Sequence, residues 1–535
     1  MAKRVKTENS NVLLFDDHKI PTTRRDFLTQ GIIGLSTAIT APMLVSSNAY
    51  ASAANAACSE NSVCGVPYIC IEGAGGMNIA GGNVAVGFTA DEDPQNFGNL
   101  NLSDYHSLGL SKAQHPSVSS MNDDSYGIRF HSTSGILEGM NSVLSEPVDG
   151  VDLRQSVDGL LICARTSDDS AANPLNTMYA AERAGAKGKL VPLIGDTNTD
   201  SGSRSPSPQK LVDLSKRPSN IRNFGDGEGL LSINDKLMNE QFLNAGAGGG
   251  TDRMKKFLKR IAGVSETNFR GIASENAAKE HLMKATNGVE EIFNKFSPKK
   301  LNPINEPAVK AELQAAFGGD PMTDVVNDQK VASIANLVTN RIAGAGSIQV
   351  GGCDYHTGDS AVGNRKDREI GRYIGKCIKL AALRGEPLFI HLYTDGGVVG
   401  DRNGVIDESA DGKGRVIWTS DSGTRSSTLM LVFKPGHNRS TDGSLILQSK
   451  KSDGKDRTRQ VGHFKKGGGV VLTSTSIANS TDKIWIGVIL NYLAFSSEKS
   501  DDDGIIADAI QQFKDRFPFE DLPDDAEDLI RLKSA

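Results

Sequence analysis

Short apolar runs recur along the chain, and each is followed by a turn rich in glycine or aspartate. Continuous apolar runs of this length, bounded by turn residues, are typical of strands that are buried on both faces of a parallel sheet. We therefore predict an α/β fold with a mainly parallel sheet flanked by helices. The runs that carry this prediction are residues 66–71, 160–164, 190–194, 347–350 and 388–393.

Helical patterns lie between these predicted strands. Residues 174–185 have a proline near the start and a glycine at the end, which are common limits of a helix. Because this helix lies between two predicted strands, residues 160–194 are expected to form a βαβ unit. Residues 367–384 have helical spacing and precede the strand at 388–393, and residues 481–495 predict a further helix.

The middle of the chain has a different pattern. Residues 201–229 are rich in serine, proline, aspartate and glycine and predict a long loop, after which helical patterns recur as far as residue 317. We expect a helical insertion between two parts of one α/β domain, and an acidic, partly helical, solvated tail. The predicted organisation is a signal region at 1–57, the first part of the α/β domain at 58–197, the loop and helical insertion at 198–340, the second part at 341–499 and the tail at 500–535.

The N-terminal segment has the pattern of an export signal. Arg24 and Arg25 precede a Phe-Leu pair and an apolar run at 31–45, and small residues with Ala-x-Ala sites follow. This order predicts a cleaved twin-arginine signal peptide, with the Tat translocase as export partner and a periplasmic or secreted location. The apolar run is shorter than the roughly 20 residues of a spanning helix, so we expect no stable membrane span in the mature chain.

Composition narrows the classes of partner and site. The formal net charge is −6, and a mildly acidic exported chain is a poor candidate for binding nucleic acid. Cys70 and Cys163 lie inside predicted strands and are expected to be buried thiols. No Cys-x-x-Cys pair or Cys/His zinc spacing occurs, which argues against a structural zinc module.

The residues that follow the predicted strands are the candidates for chemistry, because ligands bind beyond the carboxyl ends of parallel strands. Carboxylate oxygens and imidazole nitrogens suit a divalent metal ion, whose identity the sequence leaves open. The predicted ligands are Asp354, His356, Asp395 and Glu72. Further candidates are Asp168, Asp169 and Asp196, which follow strands, and His131, which precedes a helical pattern. The alternative is that aspartate and glycine after a strand are ordinary turn residues.

Common catalytic motifs are missing from the sequence. The chain has no Gly-x-Ser-x-Gly elbow, no His-Glu-x-x-His pair and no phosphate-binding P-loop. No serine or threonine has a context that marks it as a nucleophile, so the sequence assigns no catalytic residue. A Ser/His/Asp triad without metal stays open as an alternative, since its members need not be close in sequence.

Two stretches, together with the twin-arginine signal, resemble a known family. Residues 75–78 read Gly-Gly-Met-Asn after the first strand, and residues 347–356 end in Gly-Gly-Cys-Asp-Tyr-His. The chain is thereby similar to the domain of unknown function 1501 family, Tat-exported proteins related to alkaline phosphatases and sulfatases. The family's Gly-Gly-aromatic-Asp-Thr-His stretch resembles residues 351–356, with Cys353 and Tyr355 as departures. The resemblance implies an alkaline phosphatase/sulfatase-like fold.

The departures from the family pattern bear on activity. Gly75 stands where the family has an aspartate, the family's Ser-Glu-Phe-Gly-Arg stretch is reduced to residues 394–397, and its Asp-His pair appears as Asp421-Ser422. The resemblance implies a metal-dependent phosphate or sulfate ester hydrolase. The alternative, favoured by these departures, is a non-catalytic descendant that acts as a periplasmic or cell-surface binding or assembly protein.

Overall fold

The computed structural model describes residues 3–7, 10–14, 65–88, 105–117, 119–167, 173–230, 306–320, 326–356 and 358–534. Most of the predicted signal region, the greater part of the helical insertion, and the candidates Asp168 and Asp169 lie outside these residues. In chain order the strands are β1 (Lys3–Thr7), β2 (Ser10–Leu14), β3 (Tyr68–Ala74), β4 (Asn122–Tyr126), β5 (Ile128–His131), β6 (Val157–Cys163), β7 (Val191–Gly195), β8 (Ser219–Asn220), β9 (Ala343–Gly351), β10 (Leu388–Thr394), β11 (Val398–Gly400), β12 (Ile406–Asp407), β13 (Arg415–Val416), β14 (Trp418–Asp421), β15 (Ser427–Phe433), β16 (Gln460–Val461), β17 (Phe464–Lys465) and β18 (Gly469–Val470).

The helices alternate with the longer strands along most of the chain. Strands β1 and β2 form an antiparallel hairpin within the segment that was predicted to be a signal region, and they belong to a unit, residues 1–56, that is distinct from the α/β unit. The helices are α1 (Gly135–Leu144), α2 (Met178–Ala184), α3 (Pro307–Phe317), α4 (Val326–Thr339), α5 (Ala361–Leu383), α6 (Arg439–Asp442), α7 (Ile484–Phe495), α8 (Asp502–Arg516) and α9 (Ala526–Leu529). Within the described part of the chain, none of the helices combines the length and the apolar composition that crossing a bilayer requires.

A mixed, mainly parallel sheet forms the centre of the α/β unit. Within the described residues it has eight strands in the order β16-β6-β15-β10-β3-β9-β7-β8. Strands β10, β3, β9, β7 and β8 pair in parallel, whereas β15 is antiparallel to both β10 and β6. All the predicted strand runs lie in this sheet, which confirms the α/β class. Strand β15 was not predicted.

The predicted βαβ unit has the expected elements, but its two strands are not neighbours in the sheet. Strand β6, helix α2 and strand β7 follow one another as expected, and α2 ends at Gly185, whose φ of 122° favours glycine. However, strands β15, β10, β3 and β9 lie between β6 and β7 in the sheet. The local pattern therefore predicted the elements correctly, while long-range pairing placed the two strands far apart.

The core has two layers, one on each face of the sheet. Side chains alternate along each strand, so that Ile69 and Ile71 of β3 belong to one apolar cluster and Tyr68 and Cys70 to the other. Helices α1, α3, α4 and α5 contribute to the first cluster. Helices α2, α7, α8 and α9 contribute to the second. The described cysteines Cys70, Cys163, Cys353 and Cys377 are buried thiols, as predicted for Cys70 and Cys163.

The acidic tail packs against the second core layer. Helix α8 begins where Asp501 Oδ1 accepts a hydrogen bond from the Gly504 amide at 2.7 Å, which caps its first turn. Phe513 of α8 is fully buried and stacks on Trp485 of α7 with ring centroids 5.5 Å apart. The expectation of a solvated tail is therefore wrong for this helix. Asp501 and Asp503 at its start are exposed, but the apolar face behind them is part of the core.

Candidate functional site

Three neighbouring strands of the sheet end at one edge, and three of the four predicted ligands follow or lie close to those ends. Glu72 lies near the end of β3, Asp354 follows β9 and Asp395 follows β10. The amide of Cys353 donates to the Ala74 carbonyl at 3.0 Å, which ties the loop after β9 to the end of β3. The amide of Gly75 donates to Asp395 Oδ1 at 2.8 Å, which ties β3 to the residue after β10.

A cluster of two carboxylates and one imidazole forms at this edge. His356 Nδ1 lies 2.5 Å from Asp354 Oδ1 and 3.0 Å from Asp421 Oδ1, and one ligand atom of each residue lies within 4.8 Å of the others. The side chains are partly open to solvent, with 48% of Asp354, 37% of His356 and 35% of Asp421 exposed. We call these three residues the Asp-His-Asp cluster. It joins two of the predicted ligands to Asp421, the last residue of β14.

The loop between β9 and α5 is held by its buried residues. Cys353 and Tyr355 point into the core, and the residues between and after them, Asp354 and His356, are turned outward. The Tyr355 hydroxyl donates to Asp367 Oδ1 at 2.5 Å, and burial raises the pKa of Asp367 to about 6. The alternation of buried and outward residues therefore places two ligand types on the open side of a firmly anchored loop.

The donor set of the Asp-His-Asp cluster fits a divalent metal ion. Asp354 Oδ1 is buried as an atom, and the group that contacts it in the described part of the chain is His356 Nδ1 at 2.5 Å. A buried carboxylate oxygen has a desolvation cost that a nearby cation would offset. Two carboxylate oxygens and an imidazole nitrogen are ligands that zinc, manganese and iron accept. All three side chains are partly exposed, so an ion held by them would be accessible from solvent.

Glu72 and Asp395 form a separate, buried pair. Both side chains are fully buried, and neither belongs to the Asp-His-Asp cluster. Glu72 accepts hydrogen bonds from the Arg204 amide at 2.9 Å, the Ser205 amide at 2.8 Å and the Ser205 hydroxyl at 2.5 Å. Burial, with a smaller contribution from the Asp395 charge, raises the pKa of Glu72 to about 7. Arg204 Nε lies 3.5 Å from Asp395 Oδ2.

The groups that surround this buried pair come from the segment predicted to be a long loop. Residues 201–207 are irregular, as expected, but Ser201, Ser203, Ser205 and Ser207 are buried. Asn176 donates to the Ser201 carbonyl at 2.9 Å and to Ser203 Oγ at 2.8 Å. The alternation of serine with other residues at 201–207 was the available signal that one side of this segment is buried.

The remaining described candidates have structural roles. His131 is buried, its Nε2 donates to the Gln114 carbonyl at 2.8 Å and its Nδ1 pairs with Thr133 Oγ1 at 2.8 Å. Burial, assisted by the charge of Arg415, lowers the pKa of His131 to about 3, so the imidazole is neutral. Asp196 accepts from Lys330 Nζ at 2.6 Å and from the Gln349 amide at 2.9 Å. Both side chains are therefore committed to partners within the fold.

Comparisons with known proteins leave the chain without an assigned family. No protein-family model matches the sequence, and a search of curated proteins finds no significant match. The resemblance carried by residues 351–356 therefore stays a prediction.

Proposed function

We propose that this chain is an exported protein of alkaline phosphatase/sulfatase-like fold that binds a divalent metal ion and hydrolyses phosphate or sulfate esters. The observation that carries the proposal is the Asp-His-Asp cluster at the carboxyl edge of a mainly parallel sheet. When bound, a divalent ion at such a site polarises an ester oxygen and acidifies a bound water.

The chain's own residues would hold the ion and keep one face of it open. Asp354 and Asp421 supply two negative charges, and His356 supplies a nitrogen in its neutral form. The Tyr355–Asp367 hydrogen bond holds the loop that carries two of the three ligands. Since each ligand side chain is at least a third exposed, an ester of moderate size has access to the cluster.

A second candidate function follows from the state of Glu72 and Asp395. Two-metal hydrolases need several carboxylates around their ions. Here both carboxylates are buried and engaged by main-chain amides, and Asp395 also faces the Arg204 side chain. This arrangement favours a non-catalytic descendant that works as a periplasmic or cell-surface binding or assembly protein.

Metal content of the exported, mature protein tests the first candidate. We expect about one equivalent of a divalent metal after purification without chelators, and its loss in Asp354→Asn, His356→Gln and Asp421→Asn. The reason is that each change removes one donor from a site whose affinity depends on all three. The metal is measured by elemental analysis of folded protein, and the natural chain and each variant are assayed on aryl phosphate and aryl sulfate.

Glu146→Gln is the matched control, because Glu146 is an exposed carboxylate that lies just after α1 and does not belong to the Asp-His-Asp cluster. It should keep the metal of the natural chain. Two results overturn the metallohydrolase proposal. One is a folded natural chain with no bound metal, and the other is three cluster variants that each hold as much metal as the natural chain. Bound metal without turnover of either ester favours the non-catalytic candidate.

A further inference from the structure

A cleft of about 470 Å³ lies among loops of the α/β unit, most of them from residues 402–469. One wall is the tip of the β17–β18 hairpin, and another is the turn between β14 and β15. Its polar lining is basic and hydroxylic: Ser107, Arg402, Thr424, Arg425, Lys465 and Lys466. We call this the cationic cleft.

Within the residues that the structure describes, no carboxylate pairs with the positive charges of the cationic cleft. None of its lining residues is acidic. In the described part of the chain, the side chains of Arg402, Arg425, Lys465 and Lys466 form no ion pair within 4.0 Å. Such clefts concentrate field lines and attract counter-ions.

Arg425 is positioned by neutral acceptors. Its Nη1 donates to Ser422 Oγ at 2.8 Å and its Nη2 donates to the Gly467 carbonyl at 2.9 Å. The Ser107 hydroxyl donates to the same carbonyl at 3.0 Å, which holds the hairpin tip against the cleft. The Nε of Arg425 is buried and has no acceptor within the described residues. Burial and the nearby charge of Arg402 lower the pKa of Arg425, as expected for cations brought together without an anion.

The hairpin tip depends on glycine. Gly467 and Gly468 have φ angles of 87° and 76°, a region that L side chains rarely adopt. This backbone lets the Lys465-Lys466 pair reach the cleft while the Gly467 carbonyl turns toward Arg425. The lysines and the arginine thus belong to one locally ordered arrangement rather than to unrelated surface positions.

We propose that the cationic cleft is a binding site for a small ligand that carries two or more phosphate or sulfate groups. Guanidinium and ammonium groups with nearby hydroxyls are the donors that such oxyanions require. The volume suits a ligand of saccharide size, since small-molecule sites commonly occupy roughly 300–1,000 Å³. The proposal goes beyond the proposed hydrolase function, because it needs no metal and holds for a non-catalytic protein as well.

Titration calorimetry with defined anions tests this proposal on the full mature chain. Fructose 1,6-bisphosphate serves as the phosphate probe and a trisulfated heparin disaccharide as the sulfate probe, with the unsubstituted sugars as neutral controls. We expect binding of at least one probe, no binding of the neutral sugars, and weaker binding at high salt because charge attraction is screened. The stronger probe identifies the oxyanion.

Exposed members of the cleft give variants that should fold. Lys466→Gln and Arg402→Gln should each weaken binding about tenfold, the loss expected for one charged hydrogen bond. Lys466→Arg should bind the probe about as tightly as the natural chain, because it keeps the positive charge. Lys499→Gln is the control, because Lys499 is an exposed lysine near the start of the tail. The Asp354→Asn variant should bind the probe as the natural chain does, which separates this site from the Asp-His-Asp cluster.

Two results overturn the proposal. The first is that neither probe binds the natural chain at millimolar concentration in low salt. The second is that Lys466→Gln, Arg402→Gln and Lys499→Gln bind the stronger probe equally well. Because binding is measured without metal, neither result depends on whether the protein hydrolyses esters.

Discussion

At the scale of single residues, the sheet edge separates carboxylates by environment. Asp354 and Asp421 are partly open and share one imidazole, whereas Glu72 and Asp395 are fully buried. A buried carboxylate is stabilised in its neutral form, and amide donors only partly offset that effect. The open carboxylates are therefore suited to holding a cation, and the buried ones to holding the loop at 201–207.

The raised pKa of Glu72 predicts a dependence of stability on pH. Glu72 binds its proton with a pKa of about 7 in the folded chain and of about 4.5 in the unfolded chain. Between these values the folded state binds more protons, so stability falls as the pH rises from 4.5 to 7. In Glu72→Gln this contribution, about 3 kcal/mol by the linkage relation, should disappear.

Urea unfolding at pH 5 and pH 7.5 measures the effect. The difference in unfolding free energy between the natural chain and Glu72→Gln should shift in favour of the variant at the higher pH. Any constant cost of placing an amide beside the Arg204 and Ser205 amides cancels in this comparison. A difference that does not change with pH would show that Glu72 is ionised throughout.

At the scale of elements, α8 shows how an acidic segment becomes part of a core. Its first turn carries Asp502 and Asp503 and its last turn Lys514 and Arg516, an order that matches the helix dipole. The apolar residues on its inner face, Ile505, Ala509 and Phe513, are buried against α7. The helix therefore contributes to stability through packing, and its charges keep the other face in water.

Phe513→Ala should destabilise the chain by about 3–5 kcal/mol, because it leaves a cavity beside Trp485. Phe519→Ala, in the same tail, should change stability by no more than about 1 kcal/mol, since Phe519 is 44% exposed. Chemical unfolding followed by circular dichroism compares the two variants. Equal small losses would mean that the tail is not docked in solution.

At the scale of the whole molecule, one sheet separates two apolar layers, one packed on each of its faces. The chain has two tryptophans, and each layer contains one: Trp418 in the first cluster and Trp485 in the second. Because every long strand presents alternate residues to both layers, neither layer can lose its packing without disturbing the sheet. The two layers should therefore unfold together.

Single-tryptophan variants test this cooperativity. In Trp418→Phe the fluorescence reports on the second layer, and in Trp485→Phe it reports on the first. Within each variant, the fluorescence and circular dichroism transitions in urea should coincide, as a two-state unit requires. Transitions that separate in either variant would show that one layer opens before the sheet does.

The sequence by itself determined most of the strands and helices, because the pattern of apolar and polar residues that marks each one lies within its own segment. Apolar runs and helical spacing predicted the strands at 66–71 and 388–393, the helical pattern that ends at residue 317 and the helix at 481–495, and the structure has elements at each place. The stretch at 351–356 also marked Asp354 and His356 correctly as neighbours. Periodicity, however, does not say which strands pair, and it missed β15 and its antiparallel direction.

Only the tertiary structure decided which distant residues meet. His356 and Asp421 are 65 positions apart, and Glu72 and Ser205 are 133 apart. Such pairs depend on strand order and on which loop packs over the sheet edge, and no local pattern says which distant residues a strand or a loop will meet. Burial then divided the predicted ligands into a partly exposed cluster and a buried pair. The free energy of ionising a carboxylate depends on its access to water and on its hydrogen-bond donors, and these are set by the fold rather than by its neighbours in the chain.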